Sequence, residues 1–423
     1  MKRNGACILA SVLVLTLLLS GCAGKGGAAH AITKADYPNV QAKSEPDRYA
    51  GTVNGFLTAS IPTYLSGAGS DNRVYSPLNV YMALSMLTEL SDGNTRAQIL
   101  DLLGAEDVLT QRQRAKTLWN NNYLTGDKGE CVLANSLWLN QDVEYVKSTL
   151  ETLATDYYAS SFQGKMGSAG FDRALQSWLN EQTGGLLKKQ AGGVTMPPDT
   201  VMAIASTVFF KGTWGSKFNP DATSAEVFHA PHGDLTCDFM HGTKTSPYFW
   251  GEHFAAAQLP FSNMRTMFFI LPDEGVTPDA LLDDPEFLSF LTDERDEWAN
   301  QKNATVSFSL PKFDVLSDID LLPGLAALGV TDALDRTASD FSPMTTNKML
   351  TEYGIWVSQA KHAARVTVDE DGCVAVAYTV IGASGGSAPP EERVNFVLDR
   401  PFLFAITGPD NLPLFTGVVN HPN

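Results

Sequence analysis

The chain contains segments whose apolar residues follow a helical repeat and segments whose apolar and polar residues alternate. The most apolar helical segment, residues 77–90, has apolar side chains on nearly every side. Ser76 and Pro77 give it a cap followed by proline at the first helical position. This segment therefore predicts a helix buried in the core. The helical pattern as a whole predicts helices at residues 47–65, 77–90, 94–103 and 171–187.

The remaining apolar segments predict β-strands. Residues 201–211 form a long apolar run, which indicates a strand covered on both faces. Long strands mixed with helices in no regular β–α–β alternation predict the α+β class. Strands are predicted at residues 131–139, 201–211, 305–313, 366–369, 396–398, 402–407 and 414–419.

Composition limits the class of protein and the class of partner. The chain has 423 residues, of which 44% are hydrophobic, 10% aromatic and 18% charged, as is typical of a globular protein. Its net charge of −17 argues against nucleic acid as a partner, because phosphate binding requires clustered lysine and arginine. The folded pattern is continuous, so we predict a single domain at 47–423.

The first residues have the features of a secretion signal. Lys2 and Arg3 precede an apolar run at residues 6–19, which is shorter than a membrane span and has the dimensions of a secretory core segment. Small residues directly before Cys22 resemble a bacterial lipobox, which implies that Cys22 becomes the first mature residue and carries lipid. An ordinary secretion signal, in which Cys22 has no special role, is the alternative. We predict a lipoprotein signal peptide at 1–21, a lipidated linker at 22–46, and an extracytoplasmic protein anchored to the cell envelope.

Three further cysteines are too widely spaced to suggest a disulfide framework. They are Cys131, Cys237 and Cys373, and we expect each to act as a small hydrophobic side chain.

Residues 369–390 have the pattern of an arm that enters a sheet and carries an exposed loop. The polar stretch 369–372 is suited to a turn, and residues 373–380 alternate small with large side chains, which is typical of a strand with two unlike faces. Residues 382–390 contain no large apolar side chain and end in prolines, so they predict an exposed loop. An edge strand followed by a loose turn is the alternative. The small face consists of Cys373, Ala375, Ala377 and Thr379.

Several motifs, read in chain order, resemble those of the serpin family. Each motif is weak by itself, whereas their shared order and spacing over residues 49–423 are specific. The motifs are Ser76-Pro77-Leu78, Ala134-Asn135-Ser136-Leu137-Trp138, Phe209-Phe210-Lys211-Gly212-Thr213-Trp214 with Phe218, Leu310-Pro311-Lys312-Phe313, Asp399-Arg400-Pro401-Phe402 and Leu414-Phe415-Thr416-Gly417.

The resemblance implies an α+β serpin fold with three β-sheets, eight or nine helices and an exposed reactive-centre loop. It implies that the reactive bond lies a fixed distance beyond Glu370, between Gly386 and Ser387. It also implies that Trp214 lies at the breach, where the loop enters the sheet. The shutter implied is Ser76, His362 and Ser206, with Ser206 in place of the family's usual asparagine. The hinge implied is Glu370, Gly372, Cys373, Ala375, Ala377 and Thr379.

The activity implied is suicide-substrate inhibition of extracellular serine endopeptidases, with cysteine endopeptidases as a second class. Ala383 and Ser384 beside Gly386 favour an enzyme with a shallow primary pocket, such as an elastase- or subtilisin-like protease. The implied partners are the target protease, held covalently, and the membrane through Cys22. The protein is expected to be a monomer that is not an enzyme and needs no cofactor. Because Val374, Val376 and Tyr378 interrupt the family's run of small residues, a non-inhibitory binding or carrier module is the alternative.

Two other motifs are discounted. Residues 382–386 match the Gly-x-Ser-x-Gly of hydrolases, but the prolines that follow prevent the helix which that motif requires. Four residues have the composition of zinc ligands at a spacing that fits no standard finger, and we predict no metal there. They are His229, His232, Cys237 and His241.

Overall fold

The structure is a computed structural model that describes residues 29–35, 37–38, 50–126, 129–293, 295–373 and 392–422. Its helices are α1 Ala50–Leu65, α2 Pro77–Leu90, α3 Gly93–Leu103, α4 Val108–Asn122, α5 Lys147–Asp156, α6 Ala169–Gln182, α7 Lys188–Gly192, α8 Pro278–Leu282, α9 Pro285–Thr292, α10 Leu322–Ala327 and α11 Lys348–Tyr353. Its strands are β1 His30–Thr33, β2 Arg73–Tyr75, β3 Gly129–Asn140, β4 Ala159–Gly164, β5 Met202–Thr213, β6 Ser224–Ala230, β7 Gly233–Trp250, β8 Phe254–Pro260, β9 Thr266–Pro272, β10 Gln301–Pro311, β11 Phe313–Asp320, β12 Lys361–Val368, β13 Gly372–Cys373, β14 Arg393–Val397, β15 Phe402–Thr407 and β16 Pro413–Val419.

A seven-stranded sheet forms one side of the molecule, in the order β1-β4-β3-β5-β13-β12-β11. The strands β3 and β5 are antiparallel along nearly their whole length, from Gly129 opposite Gly212 to Leu139 opposite Met202. The sheet therefore has two ends, which we call the upper end, at Gly129 and Gly212, and the lower end, at Leu139 and Met202.

The other strands form a nine-stranded sheet in the order β14-β10-β7-β8-β9-β15-β16-β2, with β6 paired to β7. The expected fold class, α+β with several sheets, is confirmed, although three separate sheets were expected. In the described residues the second and third are continuous, because the eighteen-residue strand β7 pairs with β6 over residues 233–239, with β10 over residues 239–249 and with β8 over residues 248–250.

The predicted buried helix is confirmed at its predicted bounds. In α2, thirteen of the fourteen side chains are buried, and Pro77 occupies the first helical turn after Ser76. The main apolar core joins α1 and α2 to the inner faces of both sheets. A smaller cluster packs α6 against the outer face of the seven-stranded sheet through Trp138, Phe171 and Leu175.

The sequence pattern predicted four of the eleven helices in the described residues, and α6 and α4 show two physical reasons for the differences. Helix α6 ends at Gln182, five residues before the predicted end, because Gly184 and Gly185 adopt φ values of 59° and 81° that terminate it. Helix α4 was not predicted. Its buried face combines the apolar Ala115, Leu118 and Trp119 with polar residues that interrupt the apolar stripe, which are Gln111, Arg114, Asn121 and Asn122.

The segment at residues 30–33 forms a strand, although the sequence suggested a flexible linker over 22–46. It pairs antiparallel with β4, with His30 opposite Gln163 and Thr33 opposite Ser161. An edge strand presents unpaired N–H and C=O groups that can pair with a nearby extended chain.

In the described part of the chain, no helix is long and apolar enough to cross a membrane.

Candidate functional site

The site begins at a tight turn over residues 369–372, at the upper end of the seven-stranded sheet. The Asp369 carboxylate accepts hydrogen bonds from the backbone N–H groups of Asp371, at 2.9 Å, and Gly372, at 3.1 Å. Gly372 has a φ of 153°, and a Cβ there would lie 2.1 Å from the carbonyl oxygen of Gly212. Only glycine therefore fits this position without moving the backbone of β5.

The turn directs the chain back into the sheet as β13. Gly372 pairs with Thr213 and Cys373 with Gly212, both on β5, while Cys373 also pairs with Val368 on β12. Both pairings are antiparallel. In the described residues the sheet order passes from β5 through β13 to β12, so these two residues are the start of a strand between two long neighbours.

The Cys373 side chain faces the main core. It is 1% exposed and belongs to the same apolar cluster as Val368. Burial raises the pKa of its thiol to about 12, so the thiol stays protonated and behaves as a small apolar group.

Trp214 holds the turn from the β5 side. Its indole Nε1–H donates to the carbonyl of Asp369 at 2.9 Å, and its backbone N–H donates to the carbonyl of Asp371 at 3.0 Å. The ring stacks on Phe261 with centroids 4.6 Å apart. The predicted breach residue thus connects the turn to the core through both its backbone and its side chain.

Glu370 is bound on both carboxylate oxygens. Its Oε1 accepts a hydrogen bond from Thr223 at 2.8 Å, and its Oε2 lies 3.2 Å from the Lys312 Nζ. Burial alone would raise the pKa of Glu370, but hydrogen bonds from the backbone, Thr223 and Lys312 outweigh it and lower the pKa. The neighbouring Asp371 pairs with Lys217 at 2.6 Å in a more exposed position.

Truncating these two carboxylates is expected to have unequal effects. Glu370→Ala leaves Lys312 and Thr223 without their shared acceptor in a largely covered site, so we expect a loss of about 1–3 kcal/mol in the free energy of unfolding. Asp371→Ala removes a solvent-exposed ion pair, for which we expect at most about 1 kcal/mol. Urea denaturation of the two single variants makes the comparison. Equal losses would show that the contacts of Glu370 do not fix the turn.

The predicted shutter lies further down the sheet. His362 on β12 is 3% exposed, and its Nε2 accepts a hydrogen bond from the Ser76 backbone N–H at 3.1 Å. The Ser76 hydroxyl donates to the carbonyl of Leu414 at 2.6 Å. Burial lowers the pKa of His362 to about 4, so the imidazole is neutral near pH 7. These contacts join β12 to α2 and β16.

Ser206 lies on β5 opposite Asn135 of β3. The structure places Ser76, and not Ser206, at hydrogen-bond distance from the Nε2 of His362. Ser206 and His362 therefore belong to the two strands that flank β13 without a direct bond between them among the described contacts.

Several predicted site residues fall outside the described residues. They are Cys22, Ala375, Ala377, Thr379, Gly386 and Ser387.

Two of the histidines that have the composition of zinc ligands contact carboxylates instead. His229 Nδ1 lies 2.7 Å from Asp234, and His241 Nε2 lies 2.9 Å from Glu226. The described residues contain no group of three or more ligand-type side chains suited to a metal ion.

Three further residues hold the turn. Lys312 was part of a motif but had no assigned role, and Lys217 and Thr223 had no sequence signal. Their role depends on strands brought together by the fold, so no local pattern points to it.

Comparison with known proteins agrees with this architecture. The family model described as serpin (serine protease inhibitor) matches residues 56–422. An uncharacterized serpin-like protein of Thermococcus kodakarensis is 28% identical over 84% of this chain and 82% of its own. Plasminogen activator inhibitor 1 of Sus scrofa is 27% identical over 83% of this chain and 87% of its own.

Solved structures share the fold as well. The thermophilic serpin tengpin in its native state matches with a TM-score of 0.79 at 24% identity, covering 93% of this chain and all of tengpin. The family match extends over most of the chain and includes the turn, β13 and the strands beside it. The chain therefore belongs to the serpin family.

Proposed function

We propose that this protein is a suicide-substrate inhibitor of extracellular serine endopeptidases. The observation that carries the proposal is the antiparallel pairing of β13 with both β5 and β12. A strand that has begun between two long neighbours needs only to extend to become a full member of the sheet. The expected gain comes from new backbone hydrogen bonds on both sides.

The register of β13 defines what such an extension would bury. Each further residue of the arm would pair one position lower on β5 and on β12, until the arm reaches Met202 at the lower end. Side chains on the same face as Cys373 would then face the core. Continuing the register puts Ala375 opposite Phe210 and Val366, Ala377 opposite Val208 and Ala364, and Thr379 opposite Ser206 and His362.

The core-facing positions of the two neighbours support this assignment. On β5, Val208 and Phe210 pack with the main core, and on β12, Ala364 and Val366 do so. The small set of the arm would therefore meet a crowded face. The large residues would meet the outer face, where α6 packs on Ala205 of β5.

The free energy gained on insertion depends on the length of the space between β5 and β12, which we call the slot. β5 has twelve residues, so a filled slot adds about a dozen hydrogen bonds, worth roughly 6–18 kcal/mol at 0.5–1.5 kcal/mol each. This is comparable with the stability of a whole domain. Extension of the arm can thus drive a conformational change.

The chemistry follows from the proposed bond between Gly386 and Ser387. The protease serine oxygen adds to the Gly386 carbonyl carbon, the Gly386–Ser387 amide bond breaks, and the Ser387 nitrogen leaves as an amine after accepting a proton. Gly386 remains as an ester on the enzyme. Extension of the arm then moves the ester away from the loop's original position before water can hydrolyse it.

The test is to mix the purified protein with elastase- and subtilisin-like proteases. We expect a complex that survives SDS, and a cleaved form that melts far above the intact protein. Gly386→Arg should redirect complex formation to trypsin-like enzymes, because the residue before the cut bond selects the primary pocket. A non-inhibitory binding module predicts the opposite outcome, in which every protease cuts the loop and stays active.

The same proposal includes an envelope anchor. Cys22 carries lipid, and two or more acyl chains would hold the domain at a membrane durably. The support is the sequence pattern before Cys22. An inhibitor held there would meet proteases as they approach the envelope.

A further inference from the structure

The described residues 29–35 and 37–38 are bound to the body of the domain along one edge. Beyond its pairing with β4, the backbone N–H of Ala35 donates to the Ser160 hydroxyl at 3.1 Å. The Tyr37 ring then stacks on Trp119, with centroids 5.7 Å apart, and on Tyr123, at 5.8 Å. We call residues 29–35 and 37–38 the docked segment. It has three kinds of attachment: a sheet pairing, a side-chain hydrogen bond and an aromatic stack.

The docked segment enters at the lower end of the sheet. His30 pairs with Gln163, Gln163 with Leu139, and Leu139 with Met202, so these four residues form one row across four strands. The turn that begins the arm lies at the other end, where Gly372 pairs with Thr213. The twelve residues of β5 separate the two ends by about 40 Å.

We propose that the docked segment orients the anchored protein, with the lower end of the sheet facing the membrane and the hinge facing away. This inference rests on the proposed lipid at Cys22. The stretch from Cys22 to Ala29 spans at most about 25 Å even when fully extended. The lower end is therefore held close to the lipid surface.

The negative net charge of the chain disfavours the alternative orientation, in which the domain lies flat on the membrane. The chain has a net charge of −17, and bacterial-type membranes rich in anionic lipid repel such a surface at distances within a Debye length. A short tether at one end combined with this repulsion favours an upright domain. The lower end of the sheet thus faces an anionic lipid bilayer but does not bind to it.

This orientation has a consequence for trapping. In the extended register, residue 383 would pair with Met202, on the same row as His30. Four strand spacings separate them, or about 20 Å. A protease carried by the arm would therefore arrive on the membrane side of the domain, beside the tether.

The orientation can be measured without relying on native lipidation. A chain that begins with hexahistidine joined to Ala23 is bound to phosphatidylglycerol vesicles containing a nickel-chelating lipid and an energy-acceptor lipid. A donor dye is placed by Asp142→Cys, exposed just beyond the lower end of β3, or by Asp221→Cys, exposed beside Thr223 at the upper end, both in a Cys237→Ser background. We expect severalfold more energy transfer from position 142. Equal transfer from both positions would overturn the proposal.

A second pair of variants tests the docked segment itself. Ala35→Pro with Tyr37→Ala removes the hydrogen-bond donor and the aromatic stack, and release of the segment would lengthen the tether to about 95 Å at full extension. We expect the difference between positions 142 and 221 to collapse, whereas Lys34→Ala, at an exposed side chain, should preserve it. A difference unchanged in the double variant would show that the docked segment does not set the orientation.

The anchor is tested separately in the secreting cell. Cys22→Ser should move the mature protein from the membrane fraction to the soluble fraction. If it does not, the lipid anchor is wrong, while the result with the vesicle-bound chain still decides whether the docked segment orients the domain.

Discussion

Replacement of Ala377 by glutamate is expected to convert the protein from a trap into a plain substrate. In the extended register Ala377 lies opposite Val208 and Ala364, both of which border the main core. Insertion of the arm would therefore place an ionised carboxylate among apolar side chains with no partner. Leaving a charge buried and unpaired costs about 3–5 kcal/mol.

That penalty acts on insertion and not on cleavage. If it falls fully on the insertion step, the rate of that step drops by roughly a hundredfold or more, since each 1.4 kcal/mol is tenfold. Water then hydrolyses the ester first, and active protease is released. The measurement is the number of inhibitor molecules consumed per protease inactivated, which should rise steeply while the cleavage rate stays the same.

Val374→Glu is the matched control. It introduces the same charge, but position 374 would lie opposite Lys211 on the outer face, where a carboxylate meets a cation. We expect near-normal trapping. If both variants trap equally well, the register of the inserted arm is wrong. If both fail equally, charge on either face blocks insertion and the two faces are not distinguished.

The sequence pattern was sufficient to predict an element where burial and the local preferences of the residues favour the same conformation. The bounds of α2 agree with Pro77 in its first turn and with apolar residues on nearly every side. The turn that begins the arm was likewise visible as a polar stretch ending in Gly372, and the structure shows why glycine stands there. At these positions the tertiary contacts and the local preferences agree.

Other features depend on contacts that no local pattern encodes. Helix α4 buries amides and a guanidinium, whose partners come from elsewhere: the Arg114 side chain donates to the carbonyls of Leu103 and Gly104. Asn122 donates to Asp410, whose pKa is raised because burial outweighs its hydrogen bonds. The strand β1 exists because β4 is an edge. In each case the decisive partner lies outside the element itself.

The same limit applies to the shutter. The sequence pointed to His362 and to Ser206 as its partner, and it was the fold that placed the backbone of Ser76 against the imidazole. The resemblance already placed Ser76 in the shutter, but it did not indicate that the backbone N–H of Ser76 would contact the imidazole. A residue at the N-cap position of a helix can thus donate its backbone N–H to a strand of the sheet.

Acid is expected to destabilise the native protein through His362. The imidazole accepts a hydrogen bond at Nε2, and its pKa is lowered from 6.5 to about 4 by burial. The unfolded chain therefore binds the proton more readily than the native protein between these values. Stability is fully present above the unfolded pKa and is lost as the pH falls through this window, up to a limit of about 3 kcal/mol.

Most of the carboxylates keep their charge above pH 5.5, so the comparison is made there. Between pH 7.5 and 5.5 we expect His362 to account for a loss of about 1–1.5 kcal/mol in the free energy of unfolding. His362→Asn removes the titrating group, and its free energy of unfolding should change less across this interval, whatever its absolute value. His229→Gln is the control, because Asp234 raises the pKa of that exposed imidazole, so its contribution falls as the pH rises and has the opposite sign. Urea denaturation at both pH values measures these changes. If His362→Asn loses as much free energy of unfolding on acidification as the unmodified protein, the buried imidazole is not the source of the loss.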